Sequence, residues 1–165
     1  MSRILTLSVL LVAILAANSF AQNVVVPSGS KLAVASKKAI DSSVLKMGDE
    51  LNFTLADDLV VGGTTIPRGT EVLGRVLESA QYDAKSRTSH VVVMFDFLKV
   101  LKEEEEYYYV MQARIENAAE TVKGLRIAIS KEFEGGTVLS MRGGDLKLAQ
   151  GTVFEIKVIE DVTDA

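Results

Sequence analysis

Nineteen valines and nine threonines lie between Gln22 and Ala165, and this β-branched load limits what the chain can fold into more than any other feature. A side chain branched at Cβ loses rotamer freedom in a helix but packs well on a pleated surface. Apolar residues also alternate more often than they recur at helical spacing, so the chain reads as mainly strands. The candidate segments are residues 31–36, 50–55, 71–81, 89–101, 107–116, 125–130, 137–141 and 152–162. In the fourth, Val91, Val93, Phe95 and Phe97 share one face of an extended chain, opposite His90, Val92, Met94 and Asp96. One face is therefore buried and the other partly so. Residues 36–40 and 115–123 leave room for one or two short helical turns at most, because neither has the periodicity of a long amphipathic helix. Residues 102–106 interrupt two strand-like runs and read as a hairpin tip that keeps adjacent carboxylates in water.

At 165 residues the default is one domain with a real core, and no proline-rich linker divides residues 22–165. There is an internal echo instead. Val26-Pro27-Ser28-Gly29-Ser30-Lys31-Leu32, Ile66-Pro67-Arg68-Gly69-Thr70-Glu71-Val72 and Leu148-Ala149-Gln150-Gly151-Thr152-Val153-Phe154 share one pattern. It consists of an apolar residue, Pro or Ala, a variable residue, Gly, a hydroxyl residue and then alternation. Physically this is a tight turn in which Pro fixes φ, Gly takes a positive φ, and a strand follows. The copies are too unevenly spaced for a solenoid. They read as corresponding strand starts in one closed or nearly closed sheet. The expected fold is thus all-β, a single antiparallel barrel or barrel-like sandwich of about seven to nine strands.

Residues 1–21 read as a secretory leader. Arg3 precedes an uncharged apolar run over residues 4–17, too short to span a bilayer comfortably. Ser19 and Ala21 then offer small residues at the spacing a signal peptidase reads, which places cleavage after Ala21. Nearly all of the mean hydropathy of +0.24 resides in this leader. The remainder, residues 22–165, is a water-soluble acidic domain expected in the periplasm or outside the cell, and is not expected to span a membrane. Its charge is one unit more negative than the whole-chain value of −4. That balance, without a basic stripe, argues against nucleic acid as the main partner. The chain has no cysteine, so disulfides, thiolate chemistry and cysteine metal sites are excluded, and core packing alone must hold an exported fold.

The order of these features resembles the periplasmic β-barrel domain of TrbI-like conjugation and type IV secretion scaffold proteins. The matching residues are Gly29-Ser30-Lys31-Leu32-Ala33-Val34, Ile40-Asp41-Ser42, Gly48, the segment from Ile66 to Val76, and the long strand after Arg87. They cover about half of residues 22–165, and Ile-Pro-x-Gly-Thr-x-x-x-Gly is their most specific part. The resemblance implies a barrel that works by protein–protein contact in the cell envelope, without catalysis. Members that build channels usually carry a cytoplasmic segment, a membrane helix and a proline-rich stretch. The leader-like start here points instead to a stand-alone exported relative. By the same resemblance Pro67, Gly69 and Gly74 serve structure, as do Gly29 and Gly151 through the repeated turn.

No residue set specifies an activity. His90 is the only histidine; a Ser89–His90–Asp96 arrangement fails because adjacent strand residues face opposite ways, and no Gly-x-Ser-x-Gly elbow exists. One histidine and no cysteine disfavour a transition-metal site. Asp57-Asp58 and Glu103–Glu106 read as solvated loops rather than a tuned acid pair. They also lack the spaced ligands of a calcium loop. Gly62-Gly63, Gly135-Gly136 and Gly143-Gly144 read as hairpin turns rather than phosphate cradles. No catalytic, cofactor-binding or metal residue is therefore assigned. Tyr107, Tyr108 and Tyr109 are the candidate contact surface, since tyrosine is amphipathic and costs little entropy to order. In a strand, Tyr107 and Tyr109 share one face.

Two functions follow as expectations. The first is a non-enzymatic envelope domain contacting a protein partner or itself. The second is a small barrel that binds an apolar or amphipathic ligand. A core filled by Val, Leu and Phe favours the first; a void lined by Tyr107, Tyr109, Phe95 or Phe97 favours the second.

Overall fold

The longest alternating run in the sequence becomes the longest strand of a sheet that curls almost onto itself. The computed structural model describes residues 24–163, so the leader and the cleavage point after Ala21 lie outside the described residues. In chain order the strands are β1 (Val24–Val26), β2 (Lys31–Ser36), β3 (Ile40–Asp41), β4 (Phe53–Leu55), β5 (Leu59–Val61), β6 (Thr64–Ile66), β7 (Glu71–Asp83) and β8 (Thr88–Lys102). They continue as β9 (Glu105–Val110), β10 (Ala113–Ala118), β11 (Leu125–Ile129), β12 (Thr137–Arg142), β13 (Lys147–Leu148), β14 (Val153–Val158) and β15 (Val162–Thr163). No helix occurs among the described residues. Residues 115–118, read as possible helix, lie in β10, and residues 36–40 form a bend leading into β3.

Nine strands form one antiparallel sheet in the order β10-β14-β2-β4-β7-β8-β12-β11, with β9 also on β8. Strand β8 serves two neighbours along one side: residues 88–93 pair with β12 and residues 97–102 with β9. From β9 the chain passes through Met111 and Gln112 into β10. Across that junction Met111 N–H donates to Asp96 C=O at 2.9 Å, and Ile159 N–H donates to Gln112 C=O at 2.9 Å. A path from β8 through β9, β10, β14, β2, β4 and β7 therefore returns to β8. The fold is a nearly closed antiparallel barrel, while β10 and β11, the ends of the ladder order, share no ladder. The pairs β1–β15, β3–β13 and β5–β6 form small separate sheets.

The interior is filled by aromatic and aliphatic side chains. Phe53, Phe95 and Phe154 are at most 1% exposed; the Phe53 ring lies 5.1 Å from that of Phe95 and 6.2 Å from that of Phe154. Leu51, Leu98, Met111, Leu139, Leu146 and Ile156 surround them. Burying one such side chain contributes about 1.5–3 kcal/mol, and these contacts hold the fold in place of disulfides.

The repeated turn is one structure used three times. Gly29, Gly69 and Gly151 have φ of 86, 84 and 85°, the left-handed conformation that glycine adopts without strain. Ser30, Thr70 and Thr152 N–H donate back to Pro27, Pro67 and Ala149 C=O at 3.1, 3.2 and 3.1 Å. Each turn is also clasped by one residue at the end of the neighbouring strand. Gly29, Gly69 and Gly151 N–H donate to the carbonyls of Val158, Leu55 and Ser36, whose own N–H groups donate to Ser30, Thr70 and Thr152. The turns thereby set where β2, β7 and β14 begin against β14, β4 and β2. Gly74 has a different job: a Cβ there would lie 2.8 Å from both Leu51 O and Met94 O, so only glycine lets the two flanking backbones approach.

Three departures from simple alternation have identifiable causes. Leu73 pairs with Phe97 but Gly74 with Phe95, so Asp96 is an extra residue on β8. This bulge shifts the phase by one. Val91, Val93 and Phe95 stay inside, Leu98 and Val100 take over beyond the bulge, and Phe97 turns outward at 38% exposure. The runs read as single strands over residues 107–116 and 152–162 are each broken, the first at Met111-Gln112 where the ribbon changes partner, the second after Val158. Gly62-Gly63 closes the β5–β6 hairpin and Gly135-Gly136 lies in the β11–β12 connection. Gly143-Gly144 instead links β12 to β13, which pair with different strands.

Candidate contact surface

The hairpin of β8 and β9 carries five of the ten large apolar side chains that are exposed among the described residues. Its two-residue turn places Glu103 and Glu104 at φ of 50 and 68°, the geometry of a type I′ turn. Antiparallel pairing then sets Leu98 opposite Tyr109, Lys99 opposite Tyr108 and Val100 opposite Tyr107. Because alternation inverts after the Asp96 bulge, Tyr109 faces the core with Leu98 and is 4% exposed. Phe97, Leu101, Tyr108 and Val110 are exposed, as is Tyr107 near the tip. The sequence reading placed Tyr107 with Tyr109 on one face; that face runs out of core before it reaches Tyr107.

The strip is ordered by its own polar contacts. The Phe97 and Tyr108 rings meet edge to face at 6.4 Å. Lys99 Nζ lies 2.7 Å from Glu106 and 3.3 Å from Glu71, and Lys37 closes the row on Glu71. The hydrogen bond from Lys99 holds the Glu106 carboxyl below the usual range and raises the Lys99 ammonium in return. Lys37 is the main cause of the same lowering at Glu71. Tyr108 O–H donates to Glu106 at 2.9 Å, which raises the phenol. Lys102 donates to Tyr109 O at 2.8 Å and lies 5.5 Å from the Tyr107 ring centre. The tyrosine rings are thus held in fixed orientations, with Lys99 over the ring of Tyr108 and Lys102 over those of Tyr107 and Tyr109.

A cleft of about 320 Å³ beside the strip is lined by Pro67, Gly69, Thr70, Lys99, Leu101 and Glu106 among others. The turn that starts β7 therefore forms one wall of the contact surface. Other sequence candidates lie apart. His90 Nε2 is 2.6 Å from Glu78, Ser89 is buried with its hydroxyl donating to Gly144 C=O at 2.9 Å, and Asp96 pairs with Arg75 at 3.4 Å. The three do not converge. Asp58 accepts the Arg68 N–H at 2.7 Å. Among the described residues no group of three or more His, Asp or Glu is placed to hold a metal ion, and no helix is long and apolar enough to cross a membrane.

Phe97, Leu101 and Val110 are surface residues the sequence reading missed. The available signal was the register of the hairpin: counting back from a two-residue turn at Glu103-Glu104 pairs Leu101 with Glu106 and Phe97 with Val110. No family model, no curated protein and no solved structure matches this chain.

Proposed function

We propose that residues 22–165 form an exported, non-enzymatic domain of the cell envelope that acts by protein–protein contact through the β8–β9 hairpin. The observation that carries this reading is the outward strip of Phe97, Leu101, Tyr108 and Val110. Exposed aromatic and apolar groups rimmed by charge are characteristic of contact surfaces. The tip adds Glu103 and Glu104, both exposed, so the complementary partner surface is apolar with a basic edge. The leader-like residues 1–21 and the resemblance of the turn segments to TrbI-like scaffold domains support the same reading. A core occupied by Phe53, Phe95 and Phe154 favours contact over a ligand held in the barrel interior.

A photo-reactive amino acid placed at Tyr108 in intact cells tests the proposal, with Val60 as control because it is the more accessible of the two, 68% against 53% exposed, but lies on the β5–β6 hairpin. A discrete protein adduct at position 108 and none at 60 is the expected result. Equal labelling at both positions would refute the assignment of the surface.

A further inference from the structure

We propose that the free edge of β11, beside its seam with β10, accepts an extended, carboxylate-bearing segment of a partner protein as an added strand. Among the described residues β11 pairs only with β12. Ser130 N–H donates to Gly136 C=O on the β12 side, whereas Leu125 N–H donates to Val122 C=O on the other. Backbone direction alternates residue by residue in an antiparallel ladder. The N–H and C=O groups of Ile127 and Ile129 therefore point with those of Leu125, away from β12 and toward the seam. β10 does not take them up: its ladder is with β14, and Ile115 N–H donates to Thr137 Oγ1 at 3.0 Å. The free edge overlooks a cleft of about 480 Å³ lined by Ile115, Ile127, Ile129 and Ile159 together with Arg114, Lys157 and Glu116, the last engaged by Lys31 and Lys157. A strand edge above an apolar slot is the geometry that captures extended peptides.

Charge identifies the occupant. Lys31 and Lys157 are direct cross-strand partners, and so are Lys157 and Arg114. Three cations thus stand side by side across β2, β14 and β10, an arrangement that repels unless anions intervene. Glu155 and Glu116 sit 2.9 and 3.3 Å from Lys31, and Glu116 reaches Lys157 at 3.9 Å. None of the ion pairs among the described residues engages Arg114, the member of the row at the seam. Its Nε is buried and lacks a hydrogen-bond acceptor. A carboxylate entering the slot satisfies that donor and completes the row. Alternate apolar side chains of the same segment cover Ile129, which is 59% exposed, and Ile159. A second copy is a poorer fit, because the β11 edge, Leu125-Arg126-Ile127-Ala128-Ile129, brings a cation and no carboxylate.

The probe is a fluorescein-labelled eight-residue peptide alternating Val and Thr with a central Glu, compared with versions carrying Lys or Pro at that place. Fluorescence anisotropy with the purified protein should show saturable binding, about tenfold weaker for Lys than for Glu and lost for Pro. Ile129→Asp should weaken the Glu peptide at least about tenfold without lowering the melting temperature, since the side chain is exposed. Arg114→Gln should erase the preference for Glu over Lys, and Arg114→Lys should retain it. Amide exchange at Ile127 and Ile129 should slow on binding. Absence of saturation up to about 1 mM, equal affinity for Glu and Lys peptides, indifference to Ile129→Asp, or a dimer in light scattering that Ile129→Asp dissolves would each overturn the proposal. None of these outcomes touches the β8–β9 hairpin, whose test is separate.

Discussion

Replacing Gly74 by alanine isolates one steric contact. The φ of Gly74 is outside the left-handed region, unlike those of Gly29, Gly48 or Gly69, so the backbone itself accepts an L residue. With open space around the new methyl, the substitution would stabilise the fold by about 0.4–1 kcal/mol through reduced freedom of the unfolded chain. The space is not open. The Cβ would meet Leu51 O and Met94 O at 2.8 Å, and each oxygen would have to retreat to about 3.4 Å for ordinary contact. Both belong to backbone, and Leu51 N–H also donates to Gly74 C=O at 2.9 Å, so yielding disturbs the pairing on both sides of β7. Overpacking a tight site costs about 1–3 kcal/mol, and two rigid contacts place this case near the upper end. At about 2–4 °C per kcal/mol for a chain of this size, the melting temperature should fall by about 6–12 °C. Far-UV circular dichroism during thermal and urea unfolding measures it. Gly48→Ala provides the comparison: φ is +88° with nothing within 4 Å, so only the left-handed strain of about 1–2 kcal/mol applies. A Gly74→Ala protein as stable as the parent, or more so, would refute the steric argument.

The tip of the β8–β9 hairpin predicts the opposite sign, since a type I′ turn favours Asn-Gly: Glu103→Asn with Glu104→Gly should raise stability by about 1–2 kcal/mol, read as a higher urea midpoint. Acid should weaken the fold in a defined window. Glu71, Glu106 and Glu155 titrate below 4.5, and Asp41 and Asp83 below 3.8, in the folded protein. The unfolded chain therefore takes up their protons first, and the stability they lend is complete above those values and drains away as pH falls through the folded ones. Urea midpoints should be flat above about pH 5 and decline below about pH 4.5, with a shallower decline in Glu71→Gln. In the core, Phe53→Leu should cost about 1–1.5 kcal/mol by calorimetry, because a volume change there reaches Phe95 and Phe154 together. On the surface, Leu101→Glu should abolish the adduct formed from position 108 while stability stays within about 0.5 kcal/mol.

What was legible in the chain is what is local. The three turns could be read because Pro or Ala, Gly and a hydroxyl residue meet their conformational and hydrogen-bond requirements within a few residues. Residues 31–36 could be read because their alternation is uninterrupted from one turn to the next bend. The face of Phe97 could not: the bulge at Asp96 exists because β7 holds Gly74 against two backbones while Leu73 still pairs with Phe97, and that constraint is set by Leu51, ahead of β4, and by β8 together. The same non-local origin explains the contact surface and the seam. Lys99 meets Glu71 only because β7 and β8 pair in one particular register, and Arg114 stands beside Lys157 only because β10 pairs with β14 across a separation of 43 positions in the chain. A single shift of register at Asp96 thus does two things at once. It keeps Leu98, Val100 and Tyr109 in the core, and it delivers Phe97, Leu101, Tyr108 and Val110 to the outside. Pairing Asp96 in a ladder without the bulge would bury Phe97 and expose Leu98, so the apolar strip and the core beneath it depend on the same extra residue.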